Sequence, residues 1–276
     1  MKKFVGYLTL ILINYLVITL IVFAFSISSL KNGKVYDWLW VKYIQTNIYF
    51  MTGFRNVFQS STNDCVRFDE DLIYVPKKGI CKFSNPEFST ELNFDETRRL
   101  NMIDDYIESD EKIIAVIGDS IAMGWGVNND ETFSYNLQKL IGKKVINLGV
   151  SSYGTIREIK RLKKSKYYDQ IDIIIIQYHL NDYSENIKLD SNKKFTKNDF
   201  DENYFSSANS SNSIKMLLRL YKKSLRLLFS HTNDLLFPNK NIENWSINED
   251  LDQLKKIISD NFIGEKKKII VFTTVE

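Results

Sequence analysis

The chain has 276 residues, 44% hydrophobic and 26% charged, an ordinary globular balance that supplies a sizeable core. A formal net charge of +3, with no Lys/Arg stripe interleaved with aromatics, excludes a dedicated nucleic-acid face. The two cysteines and two histidines show no zinc-ligand spacing, so neither a metal nor a cofactor is expected.

No charged residue lies between Lys3 and Lys31, and Asn14 is the one strongly polar side chain within the run. About 20 apolar residues cross a bilayer core as a helix, so residues 4–30 are expected to be a transmembrane anchor behind a cytoplasmic tail, 1–3. The rival is a cleaved signal peptide with Ser26 and Ser28 near its end, but signal cores are shorter, roughly 7–15 residues. Lys2 and Lys3 before the span and Lys31, Lys34 and Lys42 after it leave the positive-inside rule nearly neutral. A short basic tail ahead of a long domain favours the N-terminus inside and the domain outside the cytoplasm. Cys65 and Cys81, an even count in an exported domain, are compatible with one disulfide; two free thiols are the alternative.

Residues 31–110 read as a lead-in. Its first part, 35–58, is rich in Trp, Tyr and Phe, as in a juxtamembrane helix at the headgroup layer or one packed on the soluble domain. The remainder is polar, irregular and carries both cysteines. From 111 to 276 an α/β domain is expected. "KIIAVIG" is a short continuous apolar run, the mark of a parallel strand buried on both faces. In "NNDETFSYNLQKLIG", Asp130 is placed as an N-cap, Phe133, Leu137, Leu140 and Ile141 recur at helical spacing, and Gly142 is a stop. "KKVINLGV" is a second strand, and "GTIREIKRLKKSKYY" a basic helix with Ile156, Ile159 and Leu162 on one face. "IDIIIIQYHLND" is a third strand. Residues 183–247 read as an insertion containing the basic amphipathic stretch "IKMLLRLYKKSLRLLF", suited to an anionic membrane or to its own domain. "NEDLDQLKKIISDNF" and "KKKIIVFTTV" give a last helix and a fourth strand.

Alternating strands and helices at this spacing predict a three-layer αβα fold with a flavodoxin-like parallel sheet, preceded by one transmembrane helix. Functional groups in such sheets gather beyond the carboxyl ends of the strands, where the topology switches direction. Three polar clusters lie at such ends: Gly118-Asp119-Ser120, the stretch from Asn147 to Thr155, and Asn181-Asp182. With the first strand between the second and third, all three crowd around one site. A serine at a strand end is a nucleophile candidate once a base takes its proton. Main-chain N–H groups and the Asn181 amide are candidate donors to an oxyanion. No G-x-x-x-x-G-K-[ST] or helix-opening G-x-G-x-x-G is present, so ester chemistry fits better than phosphate binding.

"IGDSIAMGWGVNNDETF", "VINLGVSSYGT" and "IIIIQYHLND" resemble, in order, the first three sequence blocks of the SGNH (GDSL-type) hydrolases. The resemblance covers residues 112–183 well and 249–275 more loosely. It implies Ser120 as nucleophile and Asn181 as side-chain oxyanion donor. It leaves Gly149 and Ser152 as candidates for the main-chain donor, with Asp119 supporting the motif. The family's base sits in a late D-x-x-H. Neither His179, where the third block often has glycine, nor His231 lies in one. The base is therefore expected beyond residue 276, after a fifth strand, and the chain to be a fragment. Ser152 stands where the family usually has its oxyanion glycine.

The resemblance implies a membrane-anchored, extracytoplasmic esterase or O-acyltransferase acting on an acylated cell-envelope glycan or small ester. A multi-span membrane acyltransferase is the partner it implies. The alternative, from the missing base, is a non-catalytic glycan-binding or scaffold protein on the same fold.

Overall fold

In the computed structural model of the chain, the described residues are 2–31, 65–84, 88–102, 107–108, 111–189, 193–200 and 247–273, with scattered positions at 36, 41, 44–45, 218, 221–222 and 225. His231 and most of the aromatic stretch 35–58 and the basic stretch 214–229 lie outside them. The chain forms two compact units: Met1–Arg55 with Asn85–Phe88 and Phe205–Asn244, and Asn56–Ser84 with Ser89–Tyr204 and Trp245–Glu276.

The first unit contains α1, Lys2–Lys31. Its segment Thr9–Ser29 has a mean hydropathy of 2.6 and is long and apolar enough to cross a membrane. The polar groups along it are satisfied by its own backbone: Asn14 Nδ2 donates to Leu10 O and Ser26 Oγ to Val22 O. One face is covered. Thr19, Phe23 and Ser26, at helical spacing, are buried. Tyr221 meets that face, its hydroxyl 3.0 Å from Thr19 Oγ1 and its ring edge-on to Phe23.

The second unit opens with two antiparallel hairpins, β1 (Val66–Asp69) with β2 (Ile73–Pro76), and β3 (Gly79–Ser84) with β4 (Ser89–Phe94). The lead-in here is thus regular, where the sequence reads as irregular. Its strands are only four to six residues long, too short for a pattern against a polar background. A disulfide joins Cys65 and Cys81, 16 residues apart, and closes the first hairpin. Reducing it is expected to cost about 3 kcal/mol, the loop entropy of a ring that size. Urea unfolding with and without reductant checks this.

The main sheet has four parallel strands in the order β6-β5-β7-β8. They are β5 (Ile113–Ile117), β6 (Val145–Asn147), β7 (Ile171–Tyr178) and β8 (Lys268–Thr273). Between and after them run α2 (Ser120–Met123), α3 (Phe133–Ile141), α4 (Thr155–Lys163), α5 (Leu180–Lys188), α6 (Lys197–Phe200) and α7 (Ile247–Phe262). The sheet is therefore the flavodoxin-like one, with the first strand between the second and third. Alternate residues of each strand face opposite layers. Ala115, Ile117, Ile146, Ile174 and Ile176 pack with Ile159, Leu162 and Phe262 of α4 and α7. On the other side Ile114, Val116, Val145 and Ile175 pack with Ala122 and Leu137 of α2 and α3.

Three details depart from the sequence reading. Asp130 does not cap α3. It lies in a 3-10 turn, Asn129–Glu131, and Thr132 is the cap, its Oγ1 accepting from Tyr135 N. Leu140 is 83% exposed, and the apolar contact of α3 with the sheet is made by the partly buried Leu137. The strand "IDIIIIQYHLND" stops at Tyr178, and Asn181 and Asp182 open a helix rather than continuing the strand.

Candidate active site at three strand ends

Chain direction at the end of β5 is set by Gly118, whose φ of +152° and crowded position both demand glycine. A Cβ there would lie 2.6 Å from Ala122 Cβ and 2.8 Å from Gln177 Oε1. Asp119 then caps α2, its Oδ1 accepting from Ile121 N at 2.8 Å. Ser120, half-buried, begins that short helix. Its carbonyl accepts from Gly124 N and Trp125 N, and Gly124 ends the turn in the left-handed region.

From below, α2 is held by the end of β6 and by a buried arginine. Asn147 Nδ2 donates to Ala122 O and Met123 O, while Asn147 Oδ1 accepts from Gly149 N. Arg99, 1% exposed, spreads its guanidinium over four neutral oxygens, those of Met123, Gly124, Val127 and the Asn129 side chain. Burial lowers its pKa to about 10, still far above neutrality. Gly149 lies against the backbone of α2, so close that a Cβ would stand 2.4 Å from Met123 N.

Beyond β6 the chain runs alongside the end of β5, with Leu148 N on Val116 O and Val150 N on Gly118 O. Carried on from the strand pairing, in which Val116 faces Asn147, that register brings Val150 level with Asp119 and Ser151 level with Ser120. Ser152 has φ +64°, a left-handed backbone that favours glycine. This turn is clamped from behind. Tyr74 of β2 donates its hydroxyl to Ser151 O at 2.6 Å, and Tyr153 donates its own to Tyr74 O. Arg157, 2% exposed, donates to Ser152 O and to both oxygens of Glu185 while lying 4.4 Å from the Tyr153 ring centroid.

At the third end, Gln177 Oε1 accepts from Ala122 N, tying β7 to α2. Tyr178 donates to Asp250 of α7. His179 N donates to Asp182 Oδ2, which caps α5. Burial, against the His179 bond and alongside neighbouring carboxylates, raises the Asp182 pKa to about 8. Asn181 lies in the first turn of α5, and its side chain is outside the described residues.

The strand order thus brings Ser120, Gly149, Ser152 and the backbone of Asn181 to one end of the sheet. Cys65 and Cys81 are not part of the cluster; they close the hairpin that carries Tyr74. Tyr74, Arg99, Arg157 and Glu158 are absent from the sequence reading. For Arg157 and Glu158 the signal was misleading rather than missing: α4 reads as a basic outer face, yet Arg157, Glu158 and Arg161 are buried and Ile156 only half so.

No family model and no curated protein matches the chain. Solved structures do match. One of them is a mutant of the esterase AlinE4, 13% identical, with a TM-score of 0.24, covering 56% of this chain and 98% of that one.

Proposed function

We propose that the chain is an SGNH-type serine esterase or O-acyltransferase, tethered to a membrane by α1 and acting outside the cytoplasm on acyl esters of an envelope glycan. The observation that supports it best is the convergence of three short turns at the ends of β5, β6 and β7, with Gly149 seated directly on the helix that Ser120 begins. In this reading the Ser120 hydroxyl attacks the ester carbonyl as a base removes its proton. The oxyanion of the tetrahedral intermediate is held by Asn181 and a main-chain N–H. Collapse expels the sugar hydroxyl and leaves an acyl-serine, which water or a second hydroxyl then attacks. Of the two main-chain candidates, the Gly149 N–H donates to Asn147 Oδ1 at 3.0 Å, and Ser152 stands where the family usually has its oxyanion glycine. Gly149 serves by having no side chain.

The test is covalent. Incubation with a fluorophosphonate is expected to add one adduct, mapped to Ser120, and Ser120→Ala should lose both the adduct and turnover of an aryl acetate. The fall in kcat should be about a thousandfold or more. An unlabelled Ser120 together with no turnover of the aryl acetate by the wild type would transfer the reading to the non-catalytic alternative. That alternative draws on one observation, the lack of a D-x-x-H in residues 1–276.

A further inference from the structure

Five carboxyl groups gather where β5 and β7 end and α4, α5 and α7 begin: Asp119, Glu158, Asp182, Glu185 and Asp250. Arg157 is the cation acting on Glu158, and its guanidinium is committed to Glu185. Asp119 Oδ1 is occupied by Ile121 N, and Asp250 receives the hydroxyl of Tyr178. Glu158 and Asp182 are left. Each is 1% exposed, and neither oxygen of Glu158 nor Oδ1 of Asp182 has a hydrogen-bond partner. Two dry, unpartnered carboxylates side by side would carry a prohibitive desolvation penalty.

The first turns of α4 and α5 are locked together. Gly154 N donates to Glu185 Oε1, and Ile156 N to Asn186 Oδ1. Of the charges acting on Glu158, that of Asp182 is the strongest. Among the described residues no group of side chains is arranged to hold a metal ion. A proton on the carboxyl removes that penalty without calling on any other group.

We propose that Glu158, buried with neither oxygen partnered, is held as a neutral carboxylic acid at neutral pH. Burial, with Asp182, Asp119 and Glu185 nearby, pushes Glu158 well above the usual carboxylate range. Without a charge on Glu158, Asp182 keeps its bond from His179 N, which sets the start of α5. Where Asn181 is an oxyanion donor, which rests on the proposed function, Glu158 is a positioning residue for it.

The folded state then binds a proton that the unfolded chain has released above pH ~4, so stability falls as pH rises from there. The first measurement is the infrared carboxylic-acid C=O band of the full chain in detergent at neutral pH. The part of the band that Glu158 contributes should be lost in Glu158→Gln, so the variant absorbs less than the wild type. The second is urea unfolding across pH. The unfolding constant of the wild type relative to Glu158→Gln should rise by up to about tenfold per pH unit above pH 5. Should Glu158→Gln not fold, Glu158→Leu is read for the same loss of pH dependence. A band of undiminished intensity in the variant, or parallel pH profiles, overturns the proposal. Neither readout needs an active Ser120, so failure here is separate from failure of the esterase reading.

Discussion

Replacing Arg157 with alanine is expected to destabilise the α/β unit by about 3–5 kcal/mol, the cost of breaking a buried ion pair from one side. Three losses combine. The Glu185 carboxylate loses a two-point partner, with bonds of 2.5 and 2.6 Å. The carbonyl of Ser152 loses its donor. The gap left beside Tyr153 and Tyr74, rings 5.4 Å apart, has nothing to refill it. Glu185→Gln should cost less, because the amide oxygen still accepts from Arg157 and the side chain, 26% exposed, lets water reach the second donor. Arg157→Lys should recover little, since a single ammonium cannot reach two carboxylate oxygens and a carbonyl in one plane. Urea midpoints of the three variants, measured together, check the order. If lysine restores the wild-type midpoint, the planar fork is not what the turn depends on.

The elements legible in the sequence were those whose signal is local and repeated. β5 and β7 announce themselves because they are buried on both faces and read as unbroken apolar runs. The strand-end rule then located the site without any side-chain contact being known. What stayed hidden depends on distant partners. Tyr74 sits 77 residues before the carbonyl it holds, and nothing in "DLIYVP" marks it. Arg99 reaches 24 residues forward to brace α2, in a stretch with no periodic pattern. On α4 the amphipathic rule points the wrong way. Arg157 and Glu158 are charged, so pattern alone assigns them to water, but Glu185 on α5 gives Arg157 a partner inside. The same limit applies to α5: a strand pattern continues through "QYHLND" until Asp182 turns back to cap His179 N.

Gly149→Ala is the second large effect, and it isolates crowding from backbone strain. Gly149 is not among the glycines with positive φ, so alanine is conformationally allowed there. Space is what it lacks. The new Cβ would lie 2.4 Å from Met123 N, 2.8 Å from Ala122 C and 2.9 Å from Met123 Cα, all backbone atoms that cannot swing aside. Overpacking usually costs about 1–3 kcal/mol, and with rigid backbone on the receiving side the upper end, about 3 kcal/mol, is expected. Gly142→Ala is the contrasting case, with φ +64° and nothing within 4 Å of its Cβ. It should lose only the left-handed penalty of about 1–2 kcal/mol. The two variants also differ at the site. Relief of the clash at residue 149 must move α2, and Ser120 with it, so fluorophosphonate labelling should slow in Gly149→Ala and be unchanged in Gly142→Ala. Equal labelling rates in folded samples of both would mean that α2 yields without disturbing Ser120, and that Gly149 matters for packing alone.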